Sequence, residues 1–172
     1  MGDLAARWQE DVIDLRPDVL SVFVGTNDAE RHLGRLLRAD DPKTVPDFDF
    51  ADWERTYRGL LDQARQANPA LKIVLCTPFA APCGKIVEGA LGEYYPLRQR
   101  ILAQCCVIVE RIAADYGATL VPFHRLIADL ETRLPNGDAT YWVWDGIHPT
   151  PAGQRLMADC WIGAAARNGV ME

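Results

Sequence analysis

The residues best spaced to do chemistry lie in Asp145-Gly146-Ile147-His148-Pro149-Thr150. Two residues between an aspartate and a histidine let a tight turn fold the carboxylate back onto the imidazole. Asp145 can then accept from one ring N–H while the other nitrogen of His148 serves as a base. Pro149 and Pro151, on either side of Thr150, stiffen the turn. An Asp-x-x-His pair also arises as an ordinary surface or capping group, so spacing alone does not establish catalysis. The second set is Gly25-Thr26-Asn27-Asp28. Gly25 permits a sharp turn, and Asn27 can project its amide N–H as a donor to a developing oxyanion. Asn and Asp are common turn formers too. Both sets gain weight from falling at the same edge of the sheet that the chain implies.

That sheet follows from an alternation of helix and strand signals. Leu4, Trp8, Val12 and Leu15 recur at helical spacing between Asp3 and Leu15, before Pro17. Asp18 to Val24 is a short β-branched run that reads as a strand buried on both faces. A basic, weakly helical stretch with His32 in a loop follows Asp28, and Asp40 to Asp49 reads as a surface loop. A helix with Asp52 as N-cap carries Trp53, Tyr57, Leu60, Leu61 and Ala64 on one face as far as Asn68-Pro69. Leu71 to Cys76 is a second strand, and the Gly- and Pro-bearing stretch to Tyr95 reads as a surface excursion. A helix from Leu97 to Tyr116 stops at Gly117, and a short strand spans Thr119 to Pro122. Next come a helix from His124 to Leu134, a turn over Pro135 to Asp138, and a last helix from Ala152 to Ala166, with Thr150 as N-cap and Pro151 at its first position.

Alternation of this kind requires parallel strands joined by right-handed crossovers, an α/β fold in three layers, α/β/α. In such sheets ligands gather outside the carboxyl ends of the strands. Asn27, Thr77, Asp145 and His148 all lie there, with Gly25 and Thr77 as pocket candidates. Trp142 and Trp144, just before the Asp145 turn, either line a pocket or pack the loop.

Composition narrows the functions. The chain has 172 residues, is 49% hydrophobic and carries a formal net charge of −6. At that size a core forms without disulfide or metal staples. No apolar run approaches the roughly 20 residues of a membrane helix, and no basic stripe addresses nucleic acid or anionic lipid. Five cysteines, an odd number without a C-x-x-C pair, read as reduced thiols, and with no leader-like start this points to the cytoplasm, with export of a longer parent chain left open. His32 and His124 lack ligand-spaced partners, so neither a metal nor another cofactor is expected. One serine, Ser21, stands where a chain of this length ordinarily holds about ten. Inside an apolar strand its hydroxyl is expected to be buried on a helix-covered face, away from His148. Cys76, at a strand end, is the alternative nucleophile, and a buried core thiol is the simpler reading of it.

The runs PDVLSVFVGTND, CTPF and WDGIHPTPAGQRLMADCW resemble the SGNH or GDSL-type hydrolases, esterases and acylhydrolases, over nearly the whole chain. The resemblance implies a flavodoxin-like sandwich with Asn27 as oxyanion donor, Asp145 as orienting acid and His148 as general base. It also implies a Gly-Asp-Ser block with the nucleophile and a glycine block, and neither is found in these 172 residues. The expectation is therefore one hydrolase domain, 1–172, without its N-terminal strands and close to inert as an esterase. Its substrates would be small acyl or acetyl esters, carbohydrate-linked ones among them. A non-catalytic ligand-binding or scaffolding protein is the alternative. The family's first strand lies beside Asp18 to Val24, so that strand is expected to keep an unpaired edge that invites self-association.

Overall fold

Three apolar runs pair as a parallel sheet in the order β1-β2-β3 in a computed structural model that describes residues 1–133 and 139–171. The strands are β1 Val19–Phe23, β2 Lys72–Cys76 and β3 Thr119–Val121. Val19 pairs with Lys72 and Phe23 with Cys76, while Val74 pairs with Thr119. The helices are α1 Gly2–Trp8, which continues as a π-helical turn Gln9–Ile13, α2 Thr26–Arg38, α3 Phe50–Ala67, α4 Gly89–Glu93, α5 Tyr95–Asp115, α6 Phe123–Arg133 and α7 Pro151–Arg167.

Alternating side chains of β2 divide the core, as strand geometry requires. Ile73 and Leu75 join Leu20 and Val22 of β1 against α1, α3 and α5, whereas Val74 and Cys76 join Val121, α6 and α7. The sheet is thus the middle layer of three, as the alternation predicted. The buried face of α3, Trp53, Tyr57, Leu60, Leu61 and Ala64, matches the helical spacing residue for residue.

Four local expectations need correction. β1 is not buried on both faces: Leu20 and Val22 are buried, but Val19, Ser21 and Phe23 are exposed, because β1 bonds only to β2 and α7 lies over β3. The stretch after Asp28 is a full helix, with Ala29, His32, Leu33 and Leu36 on its buried face. The N-cap of α3 is Asp49, whose side chain accepts from the Asp52 N–H at 2.8 Å, and Asp52 lies inside the first turn. The segment after β2 is not a surface excursion at its start: Phe79, Ala80, Ala81, Cys83 and Ile86 are buried. The expected turn over Pro135 to Asp138 lies outside the described residues. Among the described residues no helix is long and apolar enough to cross a membrane.

Candidate active site

The Asp145 turn is closed from both ends. Val143 and Pro149 bridge, the Trp144 N–H donates to the His148 carbonyl at 3.2 Å, and the Thr150 N–H donates to the Trp142 carbonyl at 2.9 Å. Thr150 caps α7 by accepting from the Gly153 N–H at 3.2 Å while its own hydroxyl donates to the Tyr141 carbonyl at 2.7 Å. Gly146 adopts φ +93°, and a Cβ there would lie 2.3 Å from Ile86 Cδ1, so only glycine fits.

Within the turn the Asp145 carboxylate uses both oxygens. Oδ1 accepts from the backbone N–H groups of Ile147 at 3.0 Å and His148 at 2.8 Å, and Oδ2 lies 2.6 Å from His148 Nδ1. An ionised carboxylate can only accept, so in the neutral imidazole Nδ1 carries the proton and Nε2 keeps its lone pair. Partial burial pushes the Asp145 carboxyl up, but hydrogen bonds from the His148 ring and from the two backbone N–H groups outweigh it and hold the group below its ordinary value.

His148 and Asn27 line one cavity of about 370 Å³. Gly25 positions Asn27: at φ +123° it ends the stretch after β1 and serves as N-cap residue of α2, setting Asn27 in the first turn with an exposed side chain. Phe23 and Ile147 give the cavity apolar wall, and Arg7, Arg31 and Asp3 give it a polar rim. The Arg31 guanidinium bonds Asp3. Thr26 is the single hydroxyl-bearing residue among those lining the cavity, and it donates to the Phe79 carbonyl at 3.1 Å.

Not every residue at the sheet edge reaches this cavity. Thr77 is fully buried, with its hydroxyl on the His124 N–H at 3.1 Å and His124 Nδ1 at 2.8 Å, so it anchors α6 and lines no part of the cavity. Trp144 is 64% exposed and lies outside it as well. Ser21, expected to be buried, is exposed and accepts from the Trp161 indole N–H at 3.0 Å, but it too is off the cavity. Burial raises the Cys76 thiol to about 11, partly offset by its contact with Ser21, which leaves it protonated near neutral pH. Among the described residues no group of three or more His, Cys, Asp or Glu could hold a metal ion.

Residues 78–86 form a strap, four of whose carbonyls are held by side chains. Cys106 donates to Pro78 at 3.2 Å, Thr26 to Phe79, Gln99 to Ala80 at 2.9 Å, and Arg98 to Ile86 at 3.2 Å. The strap carries the Asp145 turn in its own right: the Ala81 N–H donates to the Gly146 carbonyl at 2.8 Å and the Cys83 thiol to the Val143 carbonyl at 2.7 Å. The sequence does hold a signal for it, since Arg98 is a lone cation on the stripe that buries Ile101, Leu102 and Cys105.

Comparison with known proteins sets this geometry in a family. An acetylxylan esterase of Geobacillus stearothermophilus is 32% identical over 163 residues, which cover 93% of this chain and 64% of that protein. The chain thus spans slightly under two thirds of that relative's length. The crystal structure of an acetylxylan esterase from the same organism superposes with a TM-score of 0.72 at 27% identity, covering 95% of this chain and 66% of the other. A Parabacteroides merdae structure described as GDSL-like lipase superposes with a TM-score of 0.78 at 27% identity, covering 96% and 67%. The profile of the GDSL-like lipase/acylhydrolase family matches residues 1–156, and the chain belongs to that family.

Proposed function

We propose that this chain carries the base, orienting acid and side-chain oxyanion donor of an esterase that removes acetyl groups from carbohydrate. The observation that carries the reading is the 2.6 Å contact between Asp145 Oδ2 and His148 Nδ1, made by a histidine that shares its cavity with Asn27. In this reading a serine Oγ attacks the acetyl carbonyl carbon as its proton passes to His148 Nε2. Asn27 donates to the oxyanion of the tetrahedral intermediate. The proton then goes from His148 to the departing sugar oxygen, and a water activated by the same nitrogen releases acetate. The apolar wall at Phe23 and Ile147 suits the acetyl methyl group, and the polar rim at Asp3, Arg7 and Arg31 suits hydroxyl-bearing sugar.

The nucleophile in this reading is a serine that the 172 residues do not hold. Support comes from the content of the cavity: the one serine is elsewhere, and the Thr26 hydroxyl proton is committed to a carbonyl. In the Geobacillus acetylxylan esterase, the variants described as catalytic mutants replace one serine, one aspartate and one histidine, the last two three positions apart. Asp145 and His148 have that same spacing.

The test is acetate release from acetylated xylo-oligosaccharides, by the 172-residue chain beside a version extended upstream to an in-frame Gly-Asp-Ser. The extended chain is expected to turn over, and the 172-residue chain to be slower by about 10⁴-fold or more. Equal rates would overturn the assignment of the nucleophile. That no described residue lining the cavity offers a free hydroxyl or thiol also favours a second reading, a non-catalytic binder. It requires saturable binding of the same oligosaccharides, weakened by His148→Ala, with no turnover by either version.

A further inference from the structure

We propose that Arg98 is a positioning residue that sets the Asn27 helix against the Asp145–His148 turn. The inference rests on the reading of those three residues as one site. Arg98 lies on α5 and is fully buried. Its guanidinium faces two ways. Toward α2, Nε and Nη2 grip the two carboxylate oxygens of Glu30, the second at 3.1 Å. Toward the strap, Nη1 donates to the Ile86 carbonyl at 3.2 Å.

Each end of this clamp is one short step from the chemistry. Glu30 stands three residues after Asn27, so the two lie about one helical turn apart on α2. Ile86 packs against Gly146 so closely that no Cβ could intervene, and Gly146 adjoins Asp145. Gln99 and Cys106 hold the strap to α5 alone, whereas Arg98 ties it through Glu30 to the helix that bears Asn27. Thr26 supplies a second, uncharged tie from α2 to the Phe79 carbonyl. A planar, permanently charged fork is suited to this task, because it can grip a carboxylate with two parallel bonds and still reach a carbonyl. A lysine offers a point charge without that geometry.

Amide hydrogen exchange on the 172-residue chain tests the clamp without requiring turnover, so its outcome is separate from that of the acetate assay. The readouts are the Ile147 and His148 N–H groups, which donate to Asp145 Oδ1, and the amides of Val74 and Leu75 in β2 as a measure of global opening. In Glu30→Gln and Arg98→Lys the two turn amides are expected to exchange faster by roughly tenfold while the β2 amides hold their rates. A rise in the Asp145 carboxyl titration toward its ordinary value should accompany the change. Arg98→Met is expected to have the largest effect, and if it fails to fold, the other two variants carry the test. Turn amides that keep wild-type rates in Glu30→Gln and Arg98→Lys, or that accelerate only in step with β2, would overturn the proposal.

Discussion

Asp145 divides its two oxygens between shape and chemistry, one holding the backbone of the turn and the other the proton on His148 Nδ1. An asparagine there keeps the backbone bonds but presents an N–H to Nδ1, which forces the proton to Nε2 and removes the base. Asp145→Asn, in a chain that carries the nucleophile, should therefore lower kcat by about 10⁴-fold with the turn intact. The direction of the Asp145 shift fixes a pH dependence. A carboxyl whose folded value is depressed adds stability above its unfolded value, about 3.9, and loses it as pH falls through the folded value. Carboxyl NMR of Asp145 should accordingly give a midpoint below about 3.9, and a midpoint at or above that would show the His148 bond to be weak. Gly146→Ala, forced against Ile86 Cδ1 at φ +93°, should cost about 1–3 kcal/mol in denaturant unfolding. The pairing of Asp145 with His148 was legible in the sequence because only two residues separate them. The isolation of Thr77 was not, because the bonds that sequester it come from His124, 47 residues away.

Elements were legible where a local pattern decides them. The face of α3 and the cap of α7 follow from helical spacing and from Thr150-Pro151, and Thr150→Ala should cost about 1 kcal/mol by thermal unfolding, since its hydroxyl closes both helix and turn. Run Asp47-Phe48-Asp49-Phe50-Ala51-Asp52 offers several caps, and only the structure singles out Asp49. β1 and β2 look alike as apolar runs. β2 is interior to the sheet, while β1 is at its edge with Val19 and Phe23 exposed, a difference set by neighbours remote in sequence. The strap 78–86 misleads for the same reason: its Pro and Gly residues signal a surface loop, yet the carbonyls of Pro78, Phe79, Ala80 and Ile86 are satisfied by side chains of α2 and α5. An edge strand with an open apolar face is a template for pairing. Light scattering of the 172-residue chain should show self-association that Val19→Lys reduces, and a monodisperse monomer at high concentration would contradict this.

At the scale of the molecule, a sheet between two helical layers brings Asn27 and His148, with Asp145 behind its ring, to one cavity although more than a hundred positions separate the first from the others. Two clusters of core residues, split by the faces of β2, hold α2 and the turn before α7 to a common frame, and the strap joins them across it. Family membership rests on most of the chain, and the activity proposed rests on the contact between Asp145 and a histidine that shares its cavity with Asn27. The most direct measurement is kcat for deacetylation of xylo-oligosaccharides by a version that carries the serine, compared for His148→Ala, Asp145→Asn and the double variant. Groups that act as one unit give losses that do not add, so the double variant should be scarcely slower than His148→Ala, itself down by about 10⁴-fold or more. Full activity in His148→Ala, or losses that multiply, would contradict the account.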